Sequence, residues 1–124
     1  MKKLLRSRIL IVEDDADTRE VLTYALVQDG FDVEGAPDGE RALEMMRARR
    51  PDLVLLDLWM PRLDGREVME AMQRDPSLSG VPVVTISASP VETPSAAFAH
   101  VQKPFAVAEL KEAIRFALVR PVCA

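Results

Sequence analysis

A short apolar run in the middle of the sequence constrains the fold more than any other feature. Leu53 to Leu56 are four consecutive apolar residues that begin just after Pro51. The run is too short for a helix, and its unbroken apolar character is typical of a strand buried on both faces of a parallel sheet. Asp57 follows at once, where open parallel sheets carry their reactive groups, in the crevice beyond the carboxyl ends of the strands. Asp57 is therefore the first candidate functional residue.

The rest of the chain alternates between short apolar runs and segments with helical spacing. Further strands are predicted at Ile9 to Val12, Phe31 to Ala36, Val81 to Ile86 and His100 to Gln102. The helix after the first strand is expected to bury Val21, Leu22, Ala25 and Leu26. Alternation of this kind with short connections predicts right-handed crossovers, and hence an open α/β fold with five parallel strands and helices on both faces.

Length and composition fit one domain. The 124 residues are 48% apolar and 29% charged, an ordinary globular composition with enough chain for a core that needs no disulfide. The net charge is -4 and the basic residues are dispersed, so we expect no direct nucleic-acid binding by this domain. Neither a secretory signal nor a transmembrane run is apparent, and we expect a cytoplasmic protein without membrane contact.

Acidic residues follow two of the predicted strands. Glu13 and Asp14 come after the first strand and Asp57 after the third, and the three converge if those strands are neighbours in a parallel sheet. Carboxylates at close range repel each other unless a cation neutralises them, and oxygen ligands suit a hard cation. The sequence therefore predicts a Mg²⁺ site.

Each acid taken singly is better explained by helix capping or a turn, because acids are common at both places. Ser87 after the fourth strand and Lys103 after the fifth make coincidence a poor explanation, since both fall on the same edge of the predicted sheet. The joint pattern favours a functional site.

The motifs together resemble the receiver domain of two-component response regulators, a chemotaxis-regulator-like domain of flavodoxin-like fold. The similarity runs from ILIVEDD through LVLLDLWMPRLDG and VVTISA to QKPF, which is nearly the whole chain. It implies a single receiver domain over residues 1–124, with a core of about 8–120. It also implies a phosphorylation-dependent switch that catalyses its own phosphorylation and dephosphorylation without being a conventional enzyme.

The resemblance assigns roles residue by residue. Asp57 would be the phosphoryl acceptor, Ser87 the switch hydroxyl and Lys103 the phosphate contact, with a cis peptide bond between Lys103 and Pro104. Asp14 would bind Mg²⁺ directly, Glu13 through water and Trp59 through its backbone carbonyl, and Asp57 would be a further member of the metal site. The partners implied are a histidine kinase or phosphotransfer protein as donor and a downstream protein target.

Two departures from the family are visible. His100 stands at the position of the usual switch aromatic, three residues before Lys103, and is either a modified switch or only a surface or satisfied side chain. The span from Ser87 to Lys103 is short and contains Pro90 and Pro94, so we expect the fourth helix to be shortened or absent.

Three other functions compete with the switch. A phosphatase of the haloacid dehalogenase type would need a second acid at position 59, which is Trp59. A flavodoxin-like FMN binder would need a phosphate-cradling loop where Glu13 and Asp14 stand. The serious alternative is a receiver-like adaptor that docks partners without phosphorylation.

Overall fold

The computed structural model describes residues 7–59, 64–88 and 97–119, in which five strands and four helices lie. The strands are β1 (Arg8–Val12), β2 (Asp32–Ala36), β3 (Leu53–Asp57), β4 (Val83–Ser87) and β5 (Ala99–Gln102). The helices are α1 (Ala16–Gln28), α2 (Gly39–Ala48), α3 (Gly65–Arg74) and α4 (Val107–Val119).

All five strands form one parallel sheet in the order β2-β1-β3-β4-β5. β1 and β3 are neighbours, with Val12 opposite Leu56, and on the other side of β3 Asp57 lies opposite Ile86. The parallel α/β prediction is confirmed. The register also aligns the carboxyl ends of the three central strands at one edge.

Burial explains why the central run forms a strand. Every residue of β3 is buried, because the sheet carries a hydrophobic core on each face. Leu53 and Leu55 belong to the core that contains Leu22 of α1 and Leu110 of α4. Val54 and Leu56 belong to the opposite core, with the buried residues of α2 and α3, which are Ala42, Leu43, Met46, Val68, Met69 and Met72. Alternate residues of one strand thus contribute to both cores.

Side-chain caps fix the starts of three helices. Asp15, Asp38 and Asp64 are the N-cap residues of α1, α2 and α3, and each accepts a hydrogen bond from a backbone N–H in the first turn. Asp64 forms a reciprocal capping box with Glu67. Gly30, with φ of 91°, follows the end of α1 and adopts the left-handed conformation that glycine permits.

Two details of the predicted elements are wrong. Val21 is 61% exposed, because the buried stripe of α1 is the narrow pair Leu22 and Leu26. β4 begins at Val83 rather than Val81, since Pro82 has no N–H to donate to a neighbouring strand. The strand runs instead through Ser87, which places that hydroxyl on the sheet itself.

The expected shortening or absence of a fourth helix concerns mainly residues 89–96, which lie outside the described residues. Within the described ranges, no helix has the length and apolar character needed to span a membrane.

Candidate functional site

The candidate site lies at the carboxyl edge of the sheet, where four of its strands end. β1 delivers Glu13 and Asp14, β3 delivers Asp57, β4 ends in Ser87, and Lys103 follows β5. The backbone joins two of these ends directly, because the Lys103 N–H donates to the carbonyl of Ser87 at 2.7 Å. These five of the seven residues predicted from sequence for the site are therefore on one edge, and the other two, Trp59 and His100, lie two residues after β3 and within β5.

Three carboxylates converge at this edge. One oxygen from each of Glu13, Asp14 and Asp57 lies within 4.8 Å of the others. Glu13 and Asp57 are buried, with exposures of 1% and 2%, and Asp14 is exposed. Two buried acids beside an open one form a half-enclosed acidic crevice that is accessible from solvent.

Lys103 is the cation of the site. Its Nζ lies 3.3 Å from Oδ2 of Asp57 and 3.5 Å from Oε1 of Glu13. Partial burial of the amine acts to lower its pKa, but the carboxylates of Asp57 and Glu13 outweigh this and raise the pKa of Lys103 above its ordinary value. Lys103 is therefore held in its charged form beside the two buried acids.

The Glu13 carboxyl group shows how unfavourable the acid cluster is without a further cation. Burial, and then the adjacent Asp57 carboxyl, raise the pKa of Glu13 from 4.5 to about 7. Oε2 accepts a hydrogen bond from the Asp15 N–H at 3.2 Å, but the buried Oε1 has no hydrogen-bond partner among the described residues. The Lys103 ammonium at 3.5 Å is a long ion-pair contact that leaves this buried acceptor poorly satisfied. The oxygen-only donor set and this poorly satisfied oxygen fit a hydrated Mg²⁺ ion.

The backbone after β3 orients Asp57. The N–H of Trp59 donates to Oδ1 of Asp57 at 2.9 Å, leaving Oδ2 toward Lys103. The Leu58 N–H donates to the carbonyl of Ile86 at 3.0 Å, which ties this turn to β4. The indole of Trp59 is 66% exposed. The predicted role of the Trp59 carbonyl as a metal ligand stays a prediction.

Two further sequence predictions concern β5 and the turn after it. The peptide bond between Lys103 and Pro104 is cis, as expected. His100 is half-buried and is not a free surface residue, because its Nδ1 lies 2.7 Å from Oγ1 of Thr85 on β4. Burial lowers the pKa of His100.

Sequence reasoning missed two residues that support the site. Thr85 is buried and pairs with His100 across the β4–β5 register. The sequence does carry a signal for Thr85, because its hydroxyl lies two positions before Ser87 in an otherwise apolar strand. Arg19 of α1 donates to the backbone carbonyl of Glu13 at 2.7 Å. Nothing in the sequence distinguishes this arginine from an ordinary charged residue on a helix surface.

Comparison with known proteins places this arrangement in a family. Residues 9–115 match the response regulator receiver domain. The chain is 40% identical over 122 residues to the DNA-binding response regulator MtrA of Mycolicibacterium paratuberculosis, an alignment that covers 94% of this chain and 53% of that protein. It is 39% identical over 117 residues to the response regulator MprA of Mycolicibacterium vanbaalenii, covering 91% of this chain and 51% of that protein.

Solved structures agree with the sequence relatives. A putative response regulator from Chloroflexus aurantiacus superposes with a TM-score of 0.87 at 27% identity, covering 93% of this chain and 99% of that one. Fold and sequence define a receiver domain of two-component signalling, a class whose general function is phosphorylation-dependent switching. The chain belongs to the response regulator receiver domain family. It spans about half the length of the curated relatives it matches.

Proposed function

We propose that Asp57 accepts a phosphoryl group from a histidine kinase, a phosphotransfer protein or a small donor, in a Mg²⁺-dependent reaction that switches partner binding. Phosphorylation-dependent switching is the general function of the family to which the chain belongs. The position of Asp57 supports its assignment as the phosphoryl acceptor. Its carboxylate is buried at the end of the central strand, beside the Lys103 ammonium and within the acidic cluster.

The neighbouring acids are poorer candidates for the acceptor. Glu13 follows β1 rather than the central strand, and its Oε2 is already engaged by the Asp15 N–H at 3.2 Å. Asp14 is exposed, with no described ion pair to a lysine or arginine. Asp57 combines burial, a fixed orientation from the Trp59 N–H, and a lysine within 3.3 Å. We assign Glu13, Asp14 and Asp57 itself, with the Trp59 carbonyl, to Mg²⁺ binding.

In the proposed reaction, Oδ2 or Oδ1 of Asp57 attacks phosphorus and forms an acyl phosphate. The bond from phosphorus to the donor breaks, and its electron pair leaves with the donor imidazole, or with acetate when acetyl phosphate is the donor. Lys103 offsets the negative charge on the phosphoryl oxygens. When bound, Mg²⁺ would supply further positive charge where two anionic groups must meet.

The switch follows from the added charge. A phosphoryl group adds close to two negative charges and three strong acceptors at the carboxyl edge. Ser87 is buried at that edge, one strand from Asp57, and we assign its hydroxyl to the new phosphoryl oxygens. Its strand also carries Thr85, the partner of His100. Movement of β4 toward the phosphoryl group would therefore reach His100 on the edge strand and alter the surface that a downstream protein meets.

The extent of the active unit is part of the proposal. We propose that residues 1–124 form one receiver domain that works in the cytoplasm. The relative MtrA is named a DNA-binding response regulator and is about twice as long as the aligned region. We expect any DNA binding in such a protein to lie outside this acidic domain.

The direct test is intact mass after incubation with acetyl phosphate, with and without Mg²⁺. We expect one phosphoryl adduct that requires Mg²⁺ and disappears in Asp57→Asn. Asp32→Asn is the matched control, because it removes an exposed carboxylate from β2 and should still form the adduct. Failure with acetyl phosphate and with several histidine kinases would exclude the switch and favour the phosphorylation-independent adaptor.

A further inference from the structure

A positive side chain outside the cluster contacts the backbone of its acidic loop. Arg19 of α1 is half-buried, and its NH1 donates to the carbonyl oxygen of Glu13 at 2.7 Å. Hydrogen bonds from a charged donor are shorter and stronger than neutral ones. The carbonyl belongs to the peptide unit that joins Glu13 to Asp14, so this one contact restrains the backbone of both acids.

A peptide unit is planar, and fixing its carbonyl therefore fixes the direction in which the chain enters Asp14. The other side of Glu13 is already fixed, because its N–H donates to the carbonyl of Ala36 at 3.1 Å and continues the β1–β2 ladder. Its Oε2 accepts from the Asp15 N–H. Repulsion among the three carboxylates acts to turn this loop outward. The Arg19 contact opposes that movement.

The position of the Arg19 side chain explains why a glycine, which strands disfavour, stands at position 35 in β2. Gly35 lies in the edge strand β2, where glycine weakens strand formation. A Cβ placed at Gly35 would lie 2.9 Å from Cδ and 3.1 Å from Cγ of Arg19. Such distances force the arginine to shift. The absence of a side chain at position 35 leaves the space through which Arg19 reaches the Glu13 carbonyl.

We propose that Arg19 is a positioning residue that holds the Glu13–Asp14 peptide in the arrangement that binds Mg²⁺, with Gly35 providing its path. The inference rests on the proposed function of the acidic site. Its described hydrogen bond is to the Glu13 carbonyl, so Arg19 would act through the backbone of Glu13 rather than by contact with the metal or the phosphoryl group. Residues that hydrogen-bond to a metal-binding residue without contacting the metal commonly change metal affinity by about tenfold or more when they are removed.

The charge of Arg19 has the opposite effect. A cation close to the acid cluster repels Mg²⁺, so removing it alone would strengthen metal binding. The half-exposed position of Arg19 makes this electrostatic effect small, because solvent screens it. Weaker binding in an arginine-free variant would therefore report on loop geometry, and tighter binding would report on charge.

The test measures the Mg²⁺ dissociation constant by titration calorimetry at pH 8 and constant ionic strength. Arg19→Ala should bind Mg²⁺ about tenfold more weakly than the wild type. Gly35→Ala retains the charge but displaces the side chain, and should also weaken binding. Arg19→Ala lacks the Cγ and Cδ atoms that a Cβ at position 35 would displace. Adding Gly35→Ala to it should therefore not weaken Mg²⁺ binding further. Arg41→Ala, which removes an equal charge from α2, should bind within twofold of the wild type.

Each outcome decides something specific. If the wild type binds no Mg²⁺, the proposed metal site itself is wrong. If the wild type binds and Arg19→Ala matches it within twofold or binds more tightly, only the role of Arg19 is excluded. If Gly35→Ala weakens Mg²⁺ binding by the same factor in the Arg19→Ala background, the role of Arg19 is also excluded. The loss of affinity would then come from a change in strand β2 and not from displacement of the arginine. If Arg19→Ala does not fold, Gly35→Ala decides, and unchanged affinity there overturns the proposal.

Discussion

His100 shows how a single residue departs from the family pattern without being unconstrained. Its Nδ1 and the Thr85 hydroxyl are 2.7 Å apart, and its buried Nε2 has no hydrogen-bond partner among the described residues. The Thr85 hydroxyl donates to the Ala99 carbonyl at 3.4 Å, so Nδ1 carries the ring hydrogen and donates to Oγ1. Protonation would then add an N–H to the buried Nε2, where no described acceptor meets it. The neutral ring is therefore the form that fits this place between β4 and β5.

We predict that His100 titrates below pH 6.5 in the folded protein. Burial lowers its pKa from the ordinary value of 6.5. The stability that the neutral ring contributes is therefore present above pH 6.5 and is lost as the pH falls through the folded-state pKa. His100 is the only histidine in the sequence, so its proton NMR titration needs no assignment by mutation.

The control is the same titration in concentrated urea, where the pKa should return to about 6.5. A parallel comparison of urea unfolding at pH 7.5 and pH 5 should show that His100→Phe removes part of the acid destabilisation. A folded-state pKa at or above 6.5 would show that the ring is solvated, and the coupling of β4 to His100 would then be unsupported.

At the scale of elements, α3 is packed against the turn that carries Asp57. A Cβ at Gly65, the first residue of α3, would lie 2.8 Å from both the Asp57 carbonyl oxygen and the Leu58 Cα. These are backbone atoms, which cannot yield as a flexible side chain can. The close approach ties the start of the helix to the end of β3.

We predict that Gly65→Ala lowers the free energy of unfolding by about 1–3 kcal/mol, the usual cost of forcing an extra methyl into a packed site. Gly80→Ala is the matched control. Its Cβ would meet only NH2 of Arg50, at 3.2 Å, and that side-chain end can move. We expect a change of about 0.5 kcal/mol or less there. Urea unfolding of both variants measures the difference. A free energy of unfolding for Gly65→Ala that falls no further than that of Gly80→Ala would show that α3 can shift to accommodate the methyl group.

Most of the element pattern could be predicted from sequence because it depends on local periodicity. The unbroken run at Leu53 to Leu56 identified the central strand, and the acids at the ends of two strands identified the site. The inward place given to Val21 was wrong, because periodicity alone does not fix the width of a buried stripe. Contacts such as Thr85 with His100 and Arg19 with the Glu13 carbonyl join different elements. Their formation depends on the final packing of those elements, which no local pattern encodes.

At the scale of the whole molecule, one sheet concentrates the ionisable residues of the site at a single edge. The two cores stabilise this arrangement, and acid repulsion at the edge opposes it. A cation that binds only the folded arrangement should therefore stabilise the entire domain. For ligand binding to the native state, the added stability is about 2.7 kcal/mol at a hundredfold excess over the dissociation constant.

We predict that this stabilisation by Mg²⁺ depends on pH through Glu13. In the metal-free protein the pKa of Glu13 is about 7, so the group is mostly protonated at pH 6 and mostly ionised at pH 8. Metal binding requires the ionised carboxylate. The apparent affinity should therefore be about tenfold higher at pH 8, and the added free energy of unfolding about 1.4 kcal/mol larger at the same saturating Mg²⁺ concentration.

Urea unfolding with Mg²⁺ and with EDTA at each pH isolates this effect, because subtraction removes metal-independent contributions such as that of His100. Ionic strength is kept constant with NaCl, so that screening is the same in every sample. Glu13→Gln keeps the shape of the side chain without its titration and should show equal Mg²⁺ stabilisation at pH 6 and pH 8. Asp32→Asn should behave as the wild type. A pH dependence that survives in Glu13→Gln would place the competing proton on another group and overturn this prediction.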